Sequence, residues 1–195
     1  MTALWVILGV VLVLGLWLMV TYNRLVQLRN RFKNSFSQID VQLQRRYDLI
    51  PNLLATAKAY MTHERETLTK VIEARNAAQK ASINAGLNPG NPEAMKAFGR
   101  AEGVLGSALG QLNVVMEAYP ELKADATMRQ FSEELSSTEN KVGFARQAYN
   151  DDVMFYNTER ETFPTVLFAG MLGFHEAALF EIESVEQRKA VKVEF

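Results

Sequence analysis

"RRYDLIPNLLATAKAYMTHE", residues 45–64, decides how the chain folds, because it either continues one long helix or turns the chain back. Pro51 sits in its middle. A proline inside a helix removes one backbone hydrogen bond and crowds the carbonyl four residues earlier, here that of Tyr47, at a cost of roughly 3 kcal/mol. The apolar positions nevertheless keep helical phase on both sides of it. They run Leu25, Leu28, Phe32, Phe36, Ile39, Leu43, Tyr47, Ile50, Leu54, Met61, Leu68 and Ile72, in steps mostly of three, four or seven. The unbroken phase predicts a kink at Pro51 and a helix reaching about Ser82. Arg45, Arg46 and Asp48 are the polar groups nearest the freed Tyr47 carbonyl. A helix that long is stable only when packed against a partner.

N-terminal to this stem, residues 3–20, "ALWVILGVVLVLGLWLMV", contain no charged or strongly polar side chain. Eighteen helical residues extend about 27 Å, close to the thickness of a bilayer core. Trp5, Trp17 and Tyr22 lie near the ends of the run, where amphipathic rings favour the membrane interface. Only Met1 and Thr2 precede it, and "LMVTYN" is a poor cleavage site, so the run reads as a retained anchor rather than a signal peptide. Arg24, Arg29, Arg31 and Lys33 follow at once. The positive-inside rule then places the N-terminus outside and the remainder in the cytoplasm. The organisation expected is an anchor over 1–22, a helical domain over 23–183 and a tail over 184–195.

Two further helices are legible. "NAGLNPGNP", 84–92, is a loop, and Asn91 followed by Pro92 makes an N-cap and first-turn pair. The helix that follows has a core stripe of Met95, Phe98, Leu105, Leu109, Leu112, Met116 and Tyr119 and ends at Pro120. A third, about 125–160, carries a heptad-like stripe of Met128, Phe131, Leu135, Thr138, Val142, Ala145, Tyr149, Asp152 and Tyr156. "FPTVLFAGMLGF", 163–174, is apolar but too short to span a bilayer, leaving core, membrane interface or subunit contact open. A short fourth helix through Glu183 is expected after it. The fold class is all-α, an anchored helical bundle.

Charge is nearly balanced overall, at −1, which gives no pull toward nucleic acid. It is unevenly placed. Residues 21–60 hold seven Lys/Arg against two Asp, or +5, and residues 117–195 hold eight Lys/Arg against fifteen Asp/Glu, or −7. The two stretches attract each other if they pack side by side. With no cysteine, disulfides, thiolate nucleophiles and Cys-based metal sites are excluded.

The candidate sites are few. Gly99, Gly103, Gly106 and Gly110 form a stripe on the second of these helices, about 100° from its leucines. Each glycine costs up to about 1 kcal/mol in a helix. Such a stripe admits close approach of another backbone, so it is a candidate helix–helix or subunit interface. His63 and His175 are the two histidines, and neither belongs to an HExxH or Glu-x-x-His pattern. The acidic stretch 151–161, "DDVMFYNTERE", has nothing that pins two carboxylates in a pocket and reads as a solvated face. No cofactor, metal or catalytic residue is assigned.

Taken in order, "RRYDLIPNLLATAKAYMTHE", "VIEARNAA", "EAYPELKAD", "ENKVGFARQAYNDDVMFYN" and "FPTVLFAGMLGF" resemble the LemA family from about residue 1 to 183. The resemblance implies a bacterial inner-membrane protein with a short external N-terminus and a bundle of four-helix up-and-down type. It implies no established enzymatic activity and supplies no catalytic residues. The reading is a non-enzymatic, membrane-anchored scaffold, held in the bilayer by residues 3–20, that self-associates as a homo-oligomer. A membrane-proximal adaptor using the acidic third helix to bind another protein is the alternative, and a metal-dependent enzyme using His63 and His175 is the remote one.

Overall fold

The protein, seen here in a computed structural model, is described over residues 2–182. Six helices follow one another: α1 (Thr2–Tyr60), α2 (Arg65–Leu87), α3 (Pro92–Met116), α4 (Pro120–Ala124), α5 (Ala126–Glu161) and α6 (Val166–Ala169). Residues 174–182 continue as an extended strap, and no strand occurs among the described residues. The expected all-α class is what the chain adopts.

α1 is one helix of 59 residues, about 88 Å long. Its first quarter stands clear of the rest. The most apolar 18-residue window has a mean hydropathy of 2.7 and is not buried at all, so α1 is long and apolar enough to cross a membrane. From Leu25 onward the same helix becomes the central element of a bundle, with Leu25, Phe32, Phe36, Ile39, Leu43, Tyr47 and Ile50 all buried. Pro51 lies inside it, as the unbroken phase predicts.

The chain reverses at residues 61–64, not beyond Ser82. The expected run of one helix through to Ser82 is therefore wrong in its end point. α1 stops at Tyr60, Met61 is fully buried in the corner, and Glu64 leads into α2, which returns along α1. "MTHE" holds neither glycine nor proline, and the apolar spacing carries straight across it. The reversal changes which face of α2 is inside. Val71, Ala74, Ala78 and Ala85 are buried, whereas Ile72 is 47% exposed.

α3 and α5 begin where the sequence places them. The Asn91 side chain accepts a hydrogen bond from Ala94 N (3.0 Å), with Pro92 in the first turn, and Asp125 accepts one from Met128 N (2.9 Å). These caps satisfy amides that the first helical turn leaves open. α1, α2, α3 and α5 alternate in direction, giving an up-and-down arrangement. α1 packs most extensively on α5, and α2 on both α1 and α3, while α3 and α5 make no close backbone contact.

The strap lies on that open side. Phe180 stacks on Phe98 of α3, with ring centroids 4.2 Å apart, and Phe174, Ala177 and Phe180 are all buried. The fourth helix expected after residues 163–174 does not form over 174–182, Glu183 lies outside the described residues, and the single turn of α6 falls earlier, within the apolar segment itself. Gly170 and Gly173 follow it, Gly173 with φ +77°, and the chain then runs extended up to Ile182. The tail over 184–195 lies outside the described residues.

Candidate functional site

Three polar arrangements join the elements of the bundle. The first answers the proline. The Tyr47 carbonyl, which Pro51 cannot serve, accepts a hydrogen bond from Arg75 Nε at 3.1 Å. Arg75 comes from α2, and is itself held by the side chains of Gln79 (2.8 Å) and Asn76 (3.1 Å). Its guanidinium also lies near the Tyr47 ring. The polar groups expected to surround this point, Arg45, Arg46 and Asp48, do not make that bond. The donor is the arginine of "VIEARNAA", brought over by the turn at 61–64.

The second arrangement is a buried charge cluster. Arg46 Nη1 bonds Glu102 of α3 at 2.8 Å, and the Tyr47 hydroxyl donates to the other carboxylate oxygen. Arg46 and Glu102 side chains are 4% and 0% exposed, so the pair is held away from water. Burial pushes the Glu102 carboxyl up, against the opposing pull of Arg46 and the Tyr47 hydroxyl. Burial, reinforced by Glu102, also pushes the Tyr47 hydroxyl far up, so it stays a donor. Arg46 Nε has no hydrogen-bond partner among the described residues. A buried pair of this kind contributes little net stability but fixes which helices meet, since a misaligned neighbour strands a charge.

The third arrangement clamps the strap. Asn157 pairs with both backbone groups of Ala177, donating to its carbonyl at 2.8 Å and accepting from its amide at 3.0 Å. Asn150 does the same for Phe180, at 3.2 and 2.8 Å. The hydroxyls of Tyr149 and Tyr156 donate to the carbonyls of Ala178 (2.9 Å) and His175 (2.8 Å). Seven helical residues rise about 10.5 Å, and three extended residues span about 10 Å, so the two repeats match. The pattern was present in the sequence as a duplicated Tyr-Asn, at 149–150 and 156–157. Seven-residue spacing there denotes a ladder for an extended backbone as well as a bundle stripe.

The uneven charge finds its partner within the chain. Arg24 pairs with Glu159 (2.9 Å) and Arg31 with Asp152 (2.7 Å), while Ser35 donates to Asp152 as well. Arg45 and Arg46 face Glu134 and Glu139 further along α5, at 4.0 and 3.8 Å. Four carboxylates of α5, those of Glu134, Glu139, Asp152 and Glu159, are therefore met by basic side chains of α1. Asp152 is buried, not part of a solvated face as the 151–161 stretch suggested.

The glycines separate into two groups. Gly99 lies against the strap, where a Cβ would overlap the carbonyl oxygen of Glu181. Gly103 is buried. Gly106 and Gly110 have nothing within 4 Å of where a Cβ would stand. The histidines are kept apart. His63 lies in the turn between α1 and α2, whereas His175 follows Phe174, which packs on Tyr22 at the anchor end. No group of three metal-ligating side chains occurs among the described residues.

Fold and site define a class: an all-helical bundle built on one long N-terminal apolar helix, with its polar groups spent on joining helices. The chain belongs to the LemA family, whose profile matches residues 35–195. Protein LemA of Metamycoplasma hominis is 27% identical over 85% of this chain and 71% of its own length. Magnetosome protein MamQ 2 of Paramagnetospirillum magneticum is 27% identical over 84% of the chain. Magnetosome protein MamQ of Magnetospirillum gryphiswaldense is 25% identical over the same share. The chain spans 66% and 65% of those two magnetosome proteins, just under two thirds.

Proposed function

We propose that the protein is a non-enzymatic scaffold, anchored in the inner membrane by residues 3–20 with its N-terminus outside, whose cytoplasmic bundle self-associates through the outer face of α3. The observation that carries self-association is the pair Gly106 and Gly110. Each gives up about 1 kcal/mol of helix propensity, and among the described residues nothing lies within 4 Å of where its side chain would begin. Val114, one turn further on, is 69% exposed. A second α3 laid against this stripe would bring two backbones together as small-residue faces do.

Mass measurement of the detergent-solubilised full chain tests the reading. An oligomer that falls to monomer in Gly106→Leu/Gly110→Leu, with helical content unchanged, supports it. A wild-type protein that is monomeric at every concentration refutes it.

A further inference from the structure

Residues 163–174 do not join the core as a unit. Thr165, Ala169 and Phe174 are buried, but Phe163, Leu167 and Met171 are 75%, 58% and 85% exposed, with Val166 and Leu172 exposed beside them. No charged side chain lies between Phe163 and Phe174. A surface of this kind normally covers something apolar. Its position says what. Phe168 packs edge-on against Trp17, with ring centroids 6.0 Å apart, and Phe174 packs on Tyr22 at 5.4 Å. Trp17 lies within the apolar run, three residues or about 4.5 Å inside its domain-side end at Val20. The loop around α6 is therefore held at the depth where the acyl region meets the headgroups. Above it, Arg24 lies four residues or about 6 Å beyond Val20, at headgroup height, and pairs with Glu159, while Arg29 reaches over the Phe174 ring at 5.0 Å.

We propose that residues 163–172 form a second membrane contact, an apolar loop that inserts its exposed side chains into the bilayer interface beside α1. The exposed patch is continuous with the anchor through the Trp17–Phe168 contact, which favours lipid over a second copy of the chain as its occupant. Amphipathic elements at this depth bury their apolar face about 5–10 Å into the headgroup and acyl boundary. The loop fixes the tilt and rotation of the bundle on the membrane, since α1 alone leaves rotation about its axis free. The proposal rests on the reading of residues 3–20 as a membrane span, and its test separates the two.

The chain has no cysteine, so single introduced cysteines can carry an environment-sensitive fluorophore at chosen points. Leu12→Cys, Met171→Cys and Val114→Cys report on the anchor, the loop and the far end of the bundle. Each full-length variant is reconstituted into vesicles of phosphatidylethanolamine and phosphatidylglycerol, with spin-labelled lipids bearing the nitroxide near the headgroup or deep in the chain. The expected result is blue-shifted emission at Met171→Cys, lost chiefly to the shallow quencher. Emission at Leu12→Cys is lost chiefly to the deep one, and Val114→Cys responds to neither. Quenching at Leu12→Cys without quenching at Met171→Cys leaves the anchor standing and overturns the loop contact. A Met171→Cys label shielded from both quenchers, in proportion to protein density in the membrane, also overturns it, by making the loop a subunit contact. Absence of quenching at both positions refutes the anchor and the loop together.

Discussion

Arg75 replaces the helical hydrogen bond that Pro51 removes, and a double-mutant cycle between them measures that replacement. In the native chain the Tyr47 carbonyl accepts from Arg75 Nε at 3.1 Å. Arg75→Met deletes a charge-assisted bond, for which about 1.5–3 kcal/mol is typical. The Arg75 side chain keeps 18% exposure, so water recovers part of the loss and about 1.5 kcal/mol is expected from this bond. In Pro51→Ala, residue 51 regains an amide that donates to the same carbonyl. Arg75→Met in that background should then cost about 1 kcal/mol less. The other contacts of Arg75, to Gln79, Asn76 and Asp48, are lost in both arms and cancel. Urea unfolding of the full chain in detergent micelles, followed by far-ultraviolet circular dichroism, gives the four stabilities. Coupling of about 1 kcal/mol confirms the replacement. Additivity within about 0.3–0.5 kcal/mol, the range found for independent sites, refutes it.

Three other outcomes follow from the polar arrangements. Glu102→Leu alone leaves the buried Arg46 guanidinium and the Tyr47 hydroxyl without their acceptors and should cost about 3 kcal/mol in the same unfolding assay, while Arg46→Met/Tyr47→Phe/Glu102→Leu should return to within about 1 kcal/mol of the native chain. Because the folded carboxyl of Glu102 titrates above its ordinary 4.5, the folded state holds this proton more tightly than the unfolded chain does. Its contribution to stability is therefore complete below that value and declines as pH rises from 4.5 through the raised one; a Glu102→Gln profile should lack this decline. Asn157→Ala leaves the amide and carbonyl of Ala177 without partners, at about 1–3 kcal/mol, and should speed proteolysis within 174–182 far more than within α2. Gly99→Ala should destabilise by displacing the strap, whereas Gly106→Ala, which meets open space, should stabilise a monomer by up to about 1 kcal/mol, seen as a raised midpoint in thermal unfolding.

The helices were readable wherever a local rule governs their ends. Asn91–Pro92 and Asp125 cap α3 and α5, and Leu25 to Leu54 fall on one face because 3.6-residue periodicity and burial agree. The turn at 61–64 was not readable, since tertiary packing of Met61 rather than a breaker residue ends α1 there. That single miss hid the role of Arg75, because a continuous helix would carry residues 47 and 75 some 40 Å apart. The strap was missed for another reason. Its conformation is dictated by Asn150 and Asn157 on a different element, and nothing in "HEAALFEI" itself opposes a helix. The glycine stripe was visible as a pattern, but its division into a strap contact at Gly99 and open space at Gly106 and Gly110 depends on that same unforeseen segment.

The passage of α1 from apolar run to bundle without a break has a mechanical consequence. A domain joined to its anchor by a flexible linker samples orientations freely and explores a volume set by linker length. Here residues 3–20 and the bundle core share 59 consecutive helical residues. Torque or tilt applied in the bilayer is transmitted to the bundle with almost no slack. Neighbouring copies in one membrane present the same face at the same height, so their encounters resemble collisions of oriented rods in a plane more than those of tumbling spheres. A change in bilayer thickness that tilts the anchor would swing the end of α1 near Tyr60, some 60 Å from Val20, through a far larger arc than the change itself.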